Sequence, residues 1–494
     1  MVSPLIAQDR QPLQDHCGIL AIVAPTDQPF FLPALAAHQE LQTRGYDGAG
    51  FWAVSSVGTE YSYKGSGMIR EVFPARAAHT KKFAAVQAKT WVFQNRYGTS
   101  GDQSPENVQP LRRVNQASGE AFIVAHNGQF SKRKPNDYLT ISDTVVFADA
   151  LAKAPQKTWS QRIQRTLKSF RGAYSLIIAT TNSVYCVRDS YGFRPLVYGK
   201  LTASAPYTWA IASETTSLLN LGATHVSEVM PGSIVAFSNG SITVLKPPTN
   251  SQRAYCMFEN VYLMEEQTKA HIPTKQSAHV RNHPSINLLR FRSGQILAEE
   301  APVAKRSVDF VCGVPGTGIT GAQGYANTLR LSYVQAIVDA AMPIEEQRTF
   351  MEADISGILQ KVATHFSFES TVLANKRIVL VDDSLVRGNV MAGLLQLLRK
   401  HCKVQSIHVR IVCPPIDKPC HLGISTRSAD ELLAHQLGGD LIKMQKYIGA
   451  DSLAFLSPAG LREAATNNAH ATGFCMGCMQ GQLPPIDSMG RRLV

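Results

Sequence analysis

Short β-branched runs separated by Gly, Asn and Pro fill the first half of the chain. "GILAIVAP" (18–25), "TWVFQNRYGTSG" (90–101), "AFIVAHNGQF" (121–130), "AYSLIIATT" (173–181), "SVYCVRDSYG" (183–192), "TWAIASE" (208–214) and "GSIVAFSNGSITVL" (232–245) all have this form. Their length and punctuation predict strands and hairpins. Helical patterns interleave at "FLPALAAHQELQTR" (31–44) and "SDTVVFADALAKA" (142–154). Together they predict an α+β domain rich in antiparallel sheet. Beyond Pro247-Pro248 the pattern changes. Apolar strands of four to five residues alternate with helices: "VDFVCGVPGTG" (308–318), helical "AQGYANTLRLSYVQAIVDAA" (322–341), "KRIVLVDDSLVRG" (376–388), helical "NVMAGLLQLLRKH" (389–401) and "VQSIHVRIVCPP" (404–415). That alternation predicts a parallel sheet. The boundary falls near residue 250, with 17–250 as the first domain and 251–482 as the second. The tail 483–494 carries no packing signal and is expected to be poorly ordered.

Composition adds constraints. The chain has 494 residues, 44% hydrophobic and 17% charged, which is a globular composition. Its net charge of +12 comes without a Lys/Arg block or aromatic–basic alternation. It suits anionic small substrates better than nucleic acid. No apolar run approaches the roughly 20 residues that cross a bilayer, so no membrane association is expected. Residues 1–16 lack a basic, then apolar, secretory pattern. A cytoplasmic location is expected, where nine cysteines are poor candidates for structural disulfides.

The second half carries one strong motif, "KRIVLVDDSLVRGNV" (376–390). A buried strand ends in Asp382-Asp383, and a loop with Ser384, Arg387 and Gly388 leads into a helix. Ligands bind in the crevice at the carboxyl end of parallel strands. Loop amides and a helix N-terminus suit a phosphate. Paired carboxylates suit ribose hydroxyls or a hard cation such as Mg²⁺. The bland alternative is an N-cap aspartate after a strand. The stretch resembles the phosphoribosyl-pyrophosphate loop of type I phosphoribosyltransferases. That resemblance implies ribose contacts from Asp382 and Asp383 and a 5-phosphate held by the loop through Gly388. The usual Thr-Thr after the glycine is here Asn389-Val390.

In the first half, Cys17 opens the strand "CGILAIVAP". "LQTRGYDGAG" (41–50), "NRYGTSG" (95–101), "VQP" (108–110), "AHNGQF" (125–130) and "SDT" (142–144) follow in order. Each alone is a turn. As a set they resemble the class II glutamine amidotransferases, whose mature N-terminal cysteine attacks the glutamine side-chain amide. The resemblance implies that Met1–His16 is a propeptide and that the freed α-amine of Cys17 serves as its base. It gives the oxyanion to Asn127 and Gly128. Arg96 takes the substrate carboxylate, Asp143 its ammonium group, and Thr99 lies in the glutamine loop. Gly98 and Tyr46 stand where that family usually has Ser and Gln.

The order of all these pieces is similar to that of the glutamine phosphoribosylpyrophosphate amidotransferases over about residues 17–482. Further matches are "VRDSYGFRPLVYGK" (187–200), "IASET" (211–215), "EVMPGSIV" (228–235), "CMFENVYLMEE" (256–266), "RTF" (348–350), "PPIDKPCHLGI" (414–424) and "GADSLAFLS" (449–457). The resemblance implies ammonia made from glutamine and passed through a shielded path to phosphoribosyl pyrophosphate. The products are 5-phosphoribosylamine, glutamate and pyrophosphate, the first step of purine synthesis. It further implies Mg²⁺ at Asp382, Asp383 and Thr317, a homotetramer, and inhibition by purine nucleotides. Cys256, Cys420, Cys475 and Cys478 occupy positions that hold a [4Fe–4S] cluster in one branch of the family. Four thiolates suit structural zinc as well. Cys186, Cys312, Cys402 and Cys413 lie in apolar runs and read as core. His126 reads as support for the oxyanion group and His408 as packing.

The second half departs more from the family than the first. "DAAMPIEEQ" (339–347) replaces a basic stretch, "EADISGI" (352–358) a P-x-Q-x-x-R pattern, "LMEEQT" (263–268) a F-A-R-P-D-S pattern, and Gly316 an acid. Two other readings therefore stand beside the first. One is a paralogue that delivers ammonia to another phosphorylated acceptor. The other is a non-catalytic iron–sulfur protein of the same fold.

Overall fold

The computed structural model describes residues 17–98, 104–131, 140–248, 253–273, 280, 282–340, 362, 364–420, 422–424, 426 and 428–481. The expected propeptide, Thr99, the "RTF" segment and the expected tail lie outside the described residues.

The first domain is a sandwich of two antiparallel sheets. One sheet uses β1 (Gly18–Gln28), β2 (Gly48–Val54), β3 (Glu60–Ser66), β4 (Ala88–Arg96), β9 (Val197–Lys200), β10 (Trp209–Ala212) and β11 (Thr224–Glu228), in the order β11-β9-β10-β1-β4-β2-β3. The other uses β5 (Leu111–Val114), β6 (Ala121–Phe130), β7 (Gly172–Ala179), β8 (Val184–Arg188), β12 (Ile234–Ser238) and β13 (Ser241–Lys246), in the order β13-β12-β8-β7-β6-β5. Strand alternation sends Ile19, Ala21 and Val23 of β1, Val92 of β4 and Ile123 and Ala125 of β6 between the sheets. Leu20, Ile22, Trp91 and Phe93 face the other way, onto Phe31 and Leu35 of the helix Phe31–Gln39.

The second domain is built on β15 (Phe310–Gly313), β18 (Arg377–Asp382), β19 (Ser406–Ile411) and β20 (Ser452–Phe455), all parallel and adjacent in that order. Buried on both faces, these strands are continuously apolar, as in Ile378–Val381. The long helical run expected at 322–341 is shorter in the structure. The helix Gly318–Leu329 ends where Arg330 turns left-handed, and β16 (Ile337–Asp339) then pairs antiparallel with β17 (Phe366–Phe368). Val334, Ile337 and Val338 are β-branched, and that preference overrides the helical spacing. Cys186, Cys312, Cys402 and Cys413 are buried, as expected of core residues.

A two-residue parallel ladder joins β14 (Tyr255–Cys256), just after the first domain, to β21 (Phe474–Cys475) near the end of the described chain.

Candidate functional site

Cys17 sits immediately before β1, buried, on the face between the two sheets. Gly18 next to it leaves no room for a side chain, since a Cβ there would lie 2.7 Å from Leu41 Cβ as well as 2.2 Å from Asn95 Oδ1. Arg96 closes β4 on the neighbouring strand, registered against Gly48 and one residue past Asn95, the partner of Gly18. The opposite sheet supplies Asn127 and Gly128 from β6. Gly128 has φ +138°, and a Cβ would meet the Ala173 carbonyl at 2.1 Å. Only glycine lets β6 come this close to β7 while leaving its backbone so turned. The Asn127 side chain is fully buried, and neither of its amide atoms has a hydrogen-bond partner among the described residues. A buried amide without a partner is costly unless a ligand supplies one. Asp143 begins the helix Asp143–Ala152, whose first turn is capped by the Ser142 hydroxyl accepting from the Val145 N–H. Its carboxylate accepts from the N–H groups of Phe130 (2.7 Å) and Thr144 (2.8 Å), which fixes its direction. His126 stacks on Phe130, with Nδ1 2.9 Å from the Thr144 hydroxyl, and burial lowers its pKa. Burial pushes the Cys17 thiol up to about 11, against the pull of the Tyr97 backbone and Arg96.

The second candidate site lies at the carboxyl ends of β15 and β18, in a cavity of about 630 Å³. Asp382, Asp383, Ser384, Arg387 and Gly388 line it, with Thr317 opposite. Thr317 and Ser384 both donate hydroxyl hydrogens to Asp383, and the Asp383 N–H donates to Asp382 at 2.8 Å. Burial raises the pKa of both carboxyls, and the neighbouring Asp383 raises that of Asp382 further. Gly388 has φ +80° and caps the helix Asn389–Lys400, so the loop amides precede a helix N-terminus. Arg387 pairs with Glu431 at 2.8 Å, and the Tyr447 hydroxyl donates to Asn389 at 2.6 Å. The segment after β19 thus packs down onto the loop.

One short stretch touches both sites. Thr43 and Tyr46 line the cavity, and the Thr43 hydroxyl donates to Leu263 of the second domain. Asp47, next along, donates its N–H to Arg96 and accepts from the Gly98 N–H at 2.9 Å. Between them, Arg44 is fully buried. It donates to Glu214 and, at 2.8 Å, to Glu259, which also takes Arg194 at 3.0 Å. Glu214, Arg44 and Arg194 belong to the first domain and Glu259 to the second. Sequence reasoning missed this cluster. Its signal was four ionisable residues inside matched, largely apolar motifs.

Cys256, Cys420, Cys475 and Cys478 come together beneath that cluster. Cys256 and Cys475 are registered partners of the β14–β21 ladder. Cys420 raises the pKa of Cys256, and both raise those of Cys475 and Cys478, beyond the larger effect of burial, so the four thiols are close together. Arg194 lies beside Cys256 and Cys420 and favours the Cys256 thiolate. Among the described residues no three His, Cys, Asp or Glu side chains gather around a single ion position.

A family model described as a glutamine amidotransferase domain matches residues 96–220. The chain is 32% identical to the chloroplastic amidophosphoribosyltransferase of Glycine max, covering 97% of this chain and 79% of that one. It is 30% identical to the amidophosphoribosyltransferase of Synechocystis, covering 96% and 94%. The chain belongs to the amidophosphoribosyltransferase family. Two solved structures agree with the family in fold. The structure described as the allosteric regulatory enzyme of purine biosynthesis has a TM-score of 0.79 at 28% identity, covering 95% of this chain and 96% of that one. The glutamine phosphoribosylpyrophosphate amidotransferase of B. subtilis, complexed with ADP and GMP, has a TM-score of 0.78 at 28% identity, covering 95% and 97%. The amidophosphoribosyltransferase architecture is therefore present over both domains. Among the described residues no helix is long and apolar enough to cross a membrane.

Proposed function

We propose that this chain hydrolyses glutamine at Cys17 and passes the ammonia to phosphoribosyl pyrophosphate at Asp382–Gly388. The observation that carries this reading is the stretch 43–47, which walls the second cavity at Thr43 and Tyr46 and holds Arg96 and Gly98 at Asp47.

Removal of residues 1–16 frees the α-amine of Cys17, whose ordinary pKa of about 8 suits a base near neutrality. The amine takes the thiol proton, and the sulfur attacks the side-chain amide carbon of glutamine. The oxyanion that forms sits on the Asn127 side-chain amide and the Gly128 N–H. Arg96 holds the substrate carboxylate as a forked donor, Asp143 holds the ammonium group, and Thr99 completes the glutamine loop. The protonated amine gives its proton to the departing nitrogen, ammonia leaves, and water releases glutamate from the thioester. In the second cavity Asp382 and Asp383 take the ribose hydroxyls. The amides of 384–388 and the helix behind them take the 5-phosphate. Ammonia attacks the ribose C1 and pyrophosphate departs. Closure against water matters because ammonium is no nucleophile.

The two buried carboxylates, both with proton affinity raised by burial and that of Asp382 raised further by Asp383, fit a divalent cation, and Asp382 and Asp383 with Thr317 would hold Mg²⁺ there. Bound Mg²⁺ supplies charge neutralisation for pyrophosphate. The four cysteines, whose thiols are close enough to affect one another, would hold a [4Fe–4S] cluster, and four thiolates suit structural zinc as well. A doubly anionic thiolate cluster also suits the neighbouring Arg194. Its role is structural. Purine nucleotides as inhibitors, a homotetramer and a cytoplasmic location complete the proposal.

The test is a steady-state assay with glutamine and phosphoribosyl pyrophosphate. Glutamate and pyrophosphate should appear in equal amounts. Cys17→Ser should lose the glutamine-dependent reaction and keep the ammonia-dependent one. An unchanged rate of pyrophosphate release in Asp382→Asn refutes the transferase assignment. Active protein should begin at Cys17 by intact mass. A second reading, another phosphorylated acceptor, is favoured by the Arg387–Glu431 pair and exposed Val390 at the phosphate grip. It predicts glutamate without pyrophosphate. Bound iron with neither product would indicate a non-catalytic protein.

A further inference from the structure

The site between the sheets contains a second buried amide besides Asn127. Gln94 lies on β4, two residues before Arg96 and registered opposite Ile19 of β1. The alternation that sends Val92 between the sheets sends Gln94 there too. Its side chain is fully buried and points into the same space as Cys17, near enough to ease loss of the thiol proton. Neither of its amide atoms completes a hydrogen bond with any described residue. A glutamine amide has two donors and an acceptor to satisfy. Burying it unpaired in a sandwich core is costly, and an apolar side chain would fill the same space without that cost. The feature that makes the amide useful there is the sulfur it faces.

We propose that Gln94 is a positioning residue for the glutaminase reaction, its side-chain N–H donating to the Cys17 sulfur and holding it toward the amide carbon of the substrate. The proposal rests on Cys17 being the nucleophile. A thiol accepts such a bond weakly, and a thiolate accepts it strongly. The bond therefore tightens as the proton leaves. It loosens again when the sulfur is acylated, because a thioester sulfur carries no charge. Gln94 then favours the attacking form over the resting one. Asn127 acts on the oxygen side of the same carbon, so the two amides divide the charge between sulfur and oxygen as it moves. Burial opposes thiolate formation at this position, and Gln94 offsets part of that opposition.

The test compares Gln94→Met, which keeps the length and removes the amide, with Gln94→His, which restores an N–H donor. The readouts are the pH dependence of Cys17 alkylation by iodoacetamide, followed on the Cys17 peptide by mass spectrometry, and kcat and KM for glutamine. In Gln94→Met the alkylation midpoint should move up by about one pH unit, so the rate at pH 8 falls about tenfold. kcat should fall about tenfold or more, with KM for glutamine within about twofold. Gln94→His should recover part of both. Since Gln94→Met removes a buried amide that has no formed partner, the melting temperature should hold or rise. An unmoved alkylation midpoint in a folded Gln94→Met overturns the proposal. So does a loss of kcat that Gln94→His does not share in recovering. Full glutamine hydrolysis in Cys17→Ser would instead remove the nucleophile reading on which the proposal stands.

Discussion

Replacing Glu259 by glutamine keeps the side-chain volume and removes one negative charge from between two buried guanidiniums. Arg44 and Arg194 reach Glu259 at 2.8 and 3.0 Å, and all three side chains are essentially without solvent exposure. Glu214 remains for Arg44, so one buried positive charge is left without a counter-charge. The amide oxygen of the glutamine can accept from one arginine, but its NH₂ then faces the other. Removing one partner of a buried ion pair costs about 3–5 kcal/mol. A factor of ten in an equilibrium is about 1.4 kcal/mol, so local opening should become roughly 100- to 4,000-fold more frequent. A two-domain chain does not unfold in one step, so the effect is best read locally. Hydrogen exchange by mass spectrometry should show lost protection in 41–47 and 256–264. The Arg44 and Gly45 N–H groups close 3₁₀ turns there at 3.0 and 3.1 Å. The same variant should lose glutamine-dependent product formation more than ammonia-dependent formation, because the stretch it loosens lies between the sites. Changing Arg44, Arg194, Glu214 and Glu259 together to methionine should restore most of the stability, since no unpaired buried charge is then left. Unchanged protection in 41–47, with an unchanged ratio of glutamine- to ammonia-dependent rates, would falsify the idea that this cluster clamps the domains.

Glu431→Gln should free Arg387 for the 5-phosphate and lower KM for phosphoribosyl pyrophosphate several-fold with kcat unchanged; a higher KM would mean that Glu431 shapes the loop instead. Glu228 is buried, which raises its pKa, but Arg188, His271 and Tyr255 overcome that and hold it at about 2. Such a depressed carboxyl stabilises the fold above its unfolded value near 4.5 and loses that contribution as the pH falls toward 2. Melting temperature against pH should therefore fall less steeply between 4.5 and 2 in Glu228→Gln than in the parent, and equal slopes would contradict the assignment. Gly294→Ala places a Cβ 1.9 Å from the Gly321 carbonyl, where the helices Ile286–Glu300 and Gly318–Leu329 cross. It should destabilise the second domain by about 1–3 kcal/mol in denaturant, with the first domain unaffected.

Much of the site was legible because its chemistry is tied to short turns. Gly128 is forced by the Ala173 carbonyl, and Asp143 follows an N-cap serine, so each stands in a short turn motif that can be read from the sequence. The parallel sheet was legible because strands buried on both faces are uninterrupted runs such as "RIVLV". The end of the helix at Arg330 was not. A left-handed arginine has no sequence mark comparable to glycine, and the apolar spacing continues past it. The Arg44–Glu259–Arg194 cluster was hidden because its members lie 65 to 215 residues apart in the chain and each alone reads as a surface charge. Gln94 was hidden because a glutamine in a strand is ordinary until the facing strand shows a cysteine beside it.

The ladder between Cys256 and Cys475 encloses the whole second domain in one loop. Closing a loop of roughly two hundred residues costs entropy that two backbone pairs cannot offset, so it must follow the folding of what lies between. During synthesis the first domain can fold as soon as it emerges, followed by the strands from β15 to β20. The four thiols meet only after that, and Glu259 sits three residues beyond the first of them. The joint between the ammonia-making and ammonia-using halves is therefore the last part of the molecule to assemble. A chain stalled before Phe474 would carry a folded glutaminase half that is not yet locked to its partner domain.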